Sequence, residues 1–206
     1  MAGRIIRLGA ALTASYLTFG TAVIAQTTSP SPERLTPSSV QPFEIIAQAE
    51  TERAPFEPLV VPEQFAMEVP TDWFAQASEI NGTTLITSYD LATGAPDLSD
   101  IKTEIMVVAE SPDVYVSREL DALIEQALAG EYEIDSYGIV SVGGNEALRI
   151  WIRQLPDEFS QQVITFVGDG RGSTARIVSF YNDNSPETKD LLLHMHGSFD
   201  FAPQGE

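Results

Sequence analysis

Short runs in which apolar and polar residues alternate fill most of the chain after residue 65. A period of two is the pattern of a strand with one buried face. The runs are rich in Val, Ile, Thr and aromatic residues, which favour strands. The pattern predicts seven strands, over residues 65–69, 83–89, 101–109, 137–142, 146–154, 161–168 and 174–181.

Two segments instead repeat their apolar residues at helical spacing. The first is predicted to begin at Ser117, a natural N-cap, and to stop at Gly130, which tolerates a left-handed conformation. The second has Ser185 as its cap, Pro186 at its first helical position and Gly197 as its stop. Each helix would place its apolar stripe on the sheet.

Two glycine-containing turns predict antiparallel strand pairs. Gly143 and Gly144 separate two strand-like runs by two residues, as in a tight hairpin whose central positions need positive φ. The segment 169–172 predicts a second, looser hairpin. The elements together predict an α/β (α+β) fold, an α/β/α sandwich with a largely antiparallel sheet of six to seven strands and two helices.

The N-terminus has the features of a secretory signal peptide over residues 1–25. Arg4 and Arg7 precede an apolar run that ends in small residues at Ala25. The run is too short and contains too many Ser and Thr residues to span a bilayer comfortably. We expect export and cleavage after Ala25, with a retained N-terminal anchor as the alternative.

Residues 26–62 have the composition of an extended tether. They hold seven of the 13 prolines and no glycine, together with many Ser, Thr and Gln residues. Such a segment buries too little apolar surface to fold alone. The predicted organisation is a signal peptide at 1–25, a disordered proline-rich linker at 26–62 and one domain at 63–206.

Charge and cysteine content restrict the partners and the chemistry. The chain has 30 acidic and 11 basic residues, and removal of the signal peptide with its two arginines would leave a net charge of −21. Such a charge repels phosphate backbones, so nucleic acid is excluded as a partner. The absence of cysteine excludes disulfides, a thiol nucleophile and thiolate metal sites.

Three sequence words and the order of the elements resemble the PsbP-like family. The words are FAMEVPTDW from Phe65 to Trp73, VGGNEALRIWI from Val142 to Ile152 and LLLHMHGSFDF from Leu191 to Phe201. The resemblance covers residues 65–203 and implies an α/β/α sandwich. In a photosynthetic host it implies an accessory or assembly role at photosystem II, and otherwise a role in the cell envelope. The compartment would be the thylakoid lumen or the periplasm.

The candidate binding residues are Arg149, Trp151 and Arg153, which alternate on one face of a predicted strand. Arginine and tryptophan are enriched at binding hot spots and can engage carboxylates or stack. We therefore hypothesise a docking face for a membrane-associated protein complex. The alternative is a set of cross-strand ion pairs with Glu104 or Glu146.

Candidate metal sites have ordinary structural explanations. His194 and His196 point apart on a helix and could chelate one metal only in an extended segment, so we expect one packed and one solvated histidine. Asp97 with Asp100, and Asp183 with its flanking asparagines, resemble weak calcium sites. Asx residues in turns and helix caps explain them equally well.

The motif search gives no catalytic signature. The sequence lacks a G-x-S-x-G elbow, a dinucleotide-binding glycine pattern and a Walker-type lysine. We expect a non-catalytic protein without a cofactor. The alternative function is a periplasmic module that binds a small molecule or a metal.

Overall fold

The structure is a computed structural model that describes residues 55–77, 82–92 and 96–203. The predicted signal peptide and most of the predicted linker lie outside these ranges. Ten strands and two helices are present in the described residues. They are β1 (Phe56–Val61), β2 (Phe65–Pro70), β3 (Phe74–Ala77), β4 (Thr83–Thr87), β5 (Ile101–Val108), α1 (Pro112–Leu128), β6 (Glu133–Val142), β7 (Asn145–Arg153), β8 (Gln161–Gly168), β9 (Thr174–Tyr181), α2 (Pro186–Gly197) and β10 (Asp200–Phe201).

Seven strands form an antiparallel sheet in the order β3-β4-β5-β9-β8-β7-β6. The predicted Gly143-Gly144 turn is confirmed: it joins β6 to β7, and both glycines have positive φ, 54° and 79°. The predicted second hairpin is also confirmed, because the 169–172 turn joins β8 to β9. The mixed α/β class and the antiparallel sheet therefore agree with the sequence prediction.

A second, three-stranded sheet has the order β1-β2-β10 and was not predicted. The strand β1 lies in the segment predicted to be linker, and all six of its residues pair with β2. The predicted linker boundary at residue 62 is therefore wrong, since residues 56–61 belong to the fold. Pro58 is tolerated because β1 is an edge strand, where an absent N–H need not remove a ladder hydrogen bond.

Helix α1 begins six residues earlier than predicted. Pro112 is its first residue and Ser111 is its N-cap, so the prediction of Ser117 as the cap is wrong. Ser117 instead lies in the second turn, where its hydroxyl donates a 2.6 Å hydrogen bond to the Asp113 carbonyl. The predicted stop is correct, because Gly130 follows the helix with φ of 80°.

Helix α2 follows the prediction closely. The Ser185 hydroxyl accepts a hydrogen bond from the Thr188 backbone N–H, which satisfies one free donor at the helix start. Pro186 occupies the first turn, and the helix ends at Gly197. Phe199, two residues after Gly197, is buried in the core.

The large sheet is covered on both faces. On one face α1 packs over Ile150, Ile164, Phe166 and Val178. On the opposite face lie α2 and the small sheet, and Phe65 and Met67 of β2 pack there with Phe199, which lies between α2 and β10. The result is a three-layer arrangement in which the interior of β8 is buried on both faces.

Candidate functional site

The three candidate residues of β7 share one face of the sheet, as their alternation predicted, but they have different environments. Arg149 is buried under α2 with 8% of its surface exposed. Trp151 is half-buried, and Arg153, at the strand end, is exposed. Burial of Arg149 removes it from any surface that a partner could reach, so the predicted three-residue docking face is reduced to Trp151 and Arg153.

Trp151 and Arg153 line a shallow pocket of about 260 Å³ at the end of the sheet. The pocket is also formed by Tyr181 of β9 and Lys189 of α2. The rings of Trp151 and Tyr181 meet edge to face with centroids 6.4 Å apart. Burial, with a smaller contribution from the Asp135 charge, raises the pKa of Tyr181 to about 12, so its phenol is neutral at physiological pH.

The exposed arginine of this pocket already has acidic partners. Arg153 Nη2 lies 2.8 Å from a Glu133 oxygen, and Nη1 lies 3.4 Å from an Asp135 oxygen. The alternative hypothesis of cross-strand ion pairs is therefore correct for Arg153, although Glu104 and Glu146 are not the partners. Glu104 pairs instead with Lys102, at 3.3 Å.

Lys189 is the cation of the pocket that has no acidic partner among the described residues. Its Nζ lies 6.0 Å from the centre of the Trp151 ring, at the outer limit of a cation–π contact. The local sequence did not indicate this residue, because Lys189 and Trp151 are on different elements. Only the packing of α2 on the sheet brings them together.

Behind the pocket, a chain of buried hydrogen bonds crosses from the sheet to α2. Arg149 Nε donates to Thr165 Oγ1 at 3.1 Å, and Thr165 Oγ1 lies 2.8 Å from His196 Nδ1. His196 Nε2 lies 2.8 Å from Ser179 Oγ, which is 2.7 Å from Thr103 Oγ1. In the sequence these three hydroxyl residues lie on three separate strands, and no local pattern indicates that they meet His196.

The charge of Arg149 determines how this chain is polarised. A guanidinium can only donate, so Thr165 Oγ1 accepts from Arg149 and its own hydroxyl proton is left to donate to His196 Nδ1. We therefore assign the proton of His196 to Nε2, which donates to Ser179. Complete burial, and secondarily the Arg149 charge, lowers the pKa of His196 to about 3, so the ring is neutral.

The two histidines have the contrasting environments that the sequence predicted. His196 has no solvent exposure, whereas His194 lies at the surface with its Nε2 2.7 Å from Glu68 Oε2. Both belong to the helical segment Pro186–Gly197, so they do not converge on one metal. Within the described residues, no group of three or more His, Asp or Glu side chains is arranged to hold a metal ion.

The two carboxylate clusters are used in turns and a helix cap. Asp100 accepts hydrogen bonds from the Asp97 backbone N–H, at 2.6 Å, and from the Ser88 hydroxyl. Asp183 accepts from the hydroxyls of Ser185 and Thr188 at the start of α2. These contacts support the structural interpretation of both clusters.

Neither α1 nor α2 combines the length and the apolarity needed to cross a membrane.

No protein-family model matches the sequence, and no curated protein matches it. Among solved structures, the chain is similar to the solution structure of cyanobacterial PsbP from Synechocystis sp. PCC 6803. The TM-score is 0.49 and the sequence identity is 12%, over 74% of this chain and 96% of that one. A likeness of this size supports no statement about activity or partners, and the mixed α/β class rests on the two helices and two antiparallel sheets of the chain itself.

Proposed function

We propose that this chain is an exported, non-catalytic domain that binds a membrane-associated protein complex through the Trp151 pocket. The observation that carries the proposal is the position of Lys189 over Trp151, with no acidic partner among the described residues. An aromatic floor beside a free cation is the chemistry of a protein-binding hot spot. The partner's segment would carry a carboxylate next to an apolar or aromatic side chain.

The negative charge of the protein restricts the partners that Lys189 can attract. The protein carries a large negative charge, so a general attraction for acidic partners does not operate. A single cation can attract a carboxylate only at short range, after the partner has docked in the correct orientation. The pocket would therefore contribute specificity more than speed of association.

The chemistry of the pocket also supports a role in binding rather than in catalysis. Asp135 is the one carboxylate among the described residues that line it, and Arg153 holds that carboxylate. Because its pKa is raised, the Tyr181 phenol stays protonated at neutral pH and cannot act as a general base. His196 points from α2 into the core against the sheet and has no exposed surface on which a substrate could bind.

The predicted signal peptide, the acidic composition and the sequence words that resemble the PsbP-like family support the proposed compartment and class of partner. In a photosynthetic host the proposed role is accessory or assembly work at photosystem II in the thylakoid lumen. In another host it is a role in the periplasm or cell envelope.

The test is cross-linking of the tagged full chain in its native cells, followed by fractionation and mass spectrometry. Recovery of photosystem II subunits from a lumenal fraction would support the photosynthetic role, and recovery of envelope membrane proteins would support the other. Recovery of no membrane protein, together with thermal stabilisation of the purified chain by a small molecule or metal, would overturn the proposal.

A further inference from the structure

The strand β6 is an exposed edge of the large sheet. It pairs with β7 on one side only, and its ten residues from Glu133 to Val142 make it the longest strand. An edge strand presents unpaired N–H and C=O groups that can add a further strand. The pairing with β7 is regular from Ser136 to Val142, after an irregularity between Ile134 and Ser136.

The part of β6 over residues 136–142 lacks the features that usually block such pairing. Residues 136–142 contain no charged residue and no proline, although the protein as a whole is strongly acidic. Two large apolar side chains stand exposed there: Tyr137 at 78% and Ile139 at 63% of their full surface. Both point to the face of the sheet that carries α1, since they lie opposite Ile150 and Leu148.

We infer that β6 pairs antiparallel with β6 of a second copy of this chain, with Gly138 at the two-fold axis. This register places Tyr137 of one copy opposite Ile139 of the other, twice, on one face of a continuous sheet. Aromatic and β-branched side chains stabilise each other in this cross-strand arrangement. Gly138 meets its own copy and brings no side chain to the axis.

The charges of β6 fit this register. Its two acids, Glu133 and Asp135, lie at one end of the strand, so antiparallel pairing places them opposite Gly143 and Ser141 of the other copy. Acids therefore face uncharged residues across the two-fold axis. A second copy therefore brings apolar side chains against apolar side chains and places no acid opposite another acid. For this reason we assign a second copy as the partner of β6.

The net charge of the protein opposes the dimer and gives it a recognisable salt dependence. Two copies with a large negative charge repel each other, and salt screens this repulsion. We expect a weak dimer, because pairing of one strand buries less surface than a standard stable interface. Added salt should strengthen it, whereas a dimer held by ion pairs would weaken.

The first test measures mass by sedimentation of the chain without residues 1–25, from about 1 µM to about 1 mM. The expected result is a rise toward the dimer mass that is greater at higher salt. The double variant Tyr137→Lys and Ile139→Lys should remain monomeric. The control is Leu98→Lys with Leu128→Lys, which adds the same charge at two exposed apolar positions elsewhere and should dimerise like the wild type.

The second test locates the axis with an introduced cysteine, which is informative because the chain contains none. A Cβ at Gly138 meets no atom within 4 Å, so Gly138→Cys should fold normally. Opposed residues of an antiparallel pair have the Cα separation that a disulfide needs. Gly138→Cys should form disulfide-linked dimers at least about tenfold faster than Leu98→Cys. A mass that stays monomeric over the whole range, or equal cross-linking of the two cysteines, would overturn the inference.

Discussion

His196 on α2 and Ser179 on β9 form a hydrogen bond of 2.8 Å in a part of the core with no solvent exposure. This bond, with the Thr165 contact on the other side of the ring, fixes the rotation of α2 over the sheet. Lys189 lies seven residues before His196, close to two helical turns, and therefore on the same side of the helix. The buried histidine thus positions the helix that brings Lys189 to Trp151.

Replacement of His196 by alanine should destabilise the protein strongly. It removes two buried hydrogen bonds, leaves the hydroxyls of Thr165 and Ser179 without their partner and opens a cavity. We expect a loss of about 2–4 kcal/mol in the free energy of unfolding, measured with urea.

The matched control is His194→Ala on the same helix. His194 is exposed and its hydrogen bond to Glu68 is at the surface, so this change should cost less than about 1 kcal/mol. Similar losses in the two variants would show that the buried chain does not stabilise α2.

The depressed pKa of His196 predicts a loss of stability in mild acid. A histidine in the unfolded chain titrates near 6.5, whereas His196 in the folded protein titrates at about 3. Between these values the unfolded state binds more protons. The stability that depends on a neutral His196 is therefore fully present above pH 6.5 and is lost as the pH falls toward 3.

Urea unfolding at pH 7 and pH 5 measures this effect. Below the unfolded pKa, His196 should lower the free energy of unfolding by an amount that approaches about 1.4 kcal/mol for each pH unit. This dependence on pH should disappear in His196→Asn. The ring signals of His196 should also show no titration above about pH 4 in NMR spectra. Titration of the folded ring near pH 6.5 would contradict the buried, neutral assignment.

The Gly143-Gly144 turn predicts unequal effects for two neighbouring substitutions. Both glycines have positive φ, so alanine at either position introduces backbone strain of about 1 kcal/mol. A Cβ at Gly143 would also lie 2.8 Å from the Phe199 carbonyl oxygen, whereas a Cβ at Gly144 meets no atom within 4 Å. Gly143→Ala should therefore be the more destabilising change by at least about 1 kcal/mol, measured by thermal or urea unfolding. Equal losses would mean that the turn moves away from Phe199 at little cost.

The sequence predicted the sheet and the second helix well because their signals are local. The alternation in β7 correctly placed Arg149, Trp151 and Arg153 on one face. Local turn chemistry likewise identified Gly143-Gly144, and Ser185 was correctly identified as the cap of α2.

The features that the sequence did not predict depend on tertiary packing. Proline made β1 resemble linker, although its pairing with β2 is continuous along the strand. Alternation places Arg149 on a face, but only the position of α2 decides that this face is covered. His196 finds its partners on strands 17 and 31 residues away, and no local pattern identifies contacts of that range.

The central claim is that a partner binds at the Trp151 pocket, and one charge reversal tests it most directly. Lys189→Glu and the control Arg171→Glu, in the exposed β8–β9 turn, change the net charge equally. Both tagged variants would be expressed in native cells and compared with the wild type for the amount of membrane-protein partner recovered by cross-linking. The account predicts at least about a tenfold loss of partner for Lys189→Glu and wild-type recovery for Arg171→Glu. Equal recovery of the partner by both variants would contradict binding at this pocket.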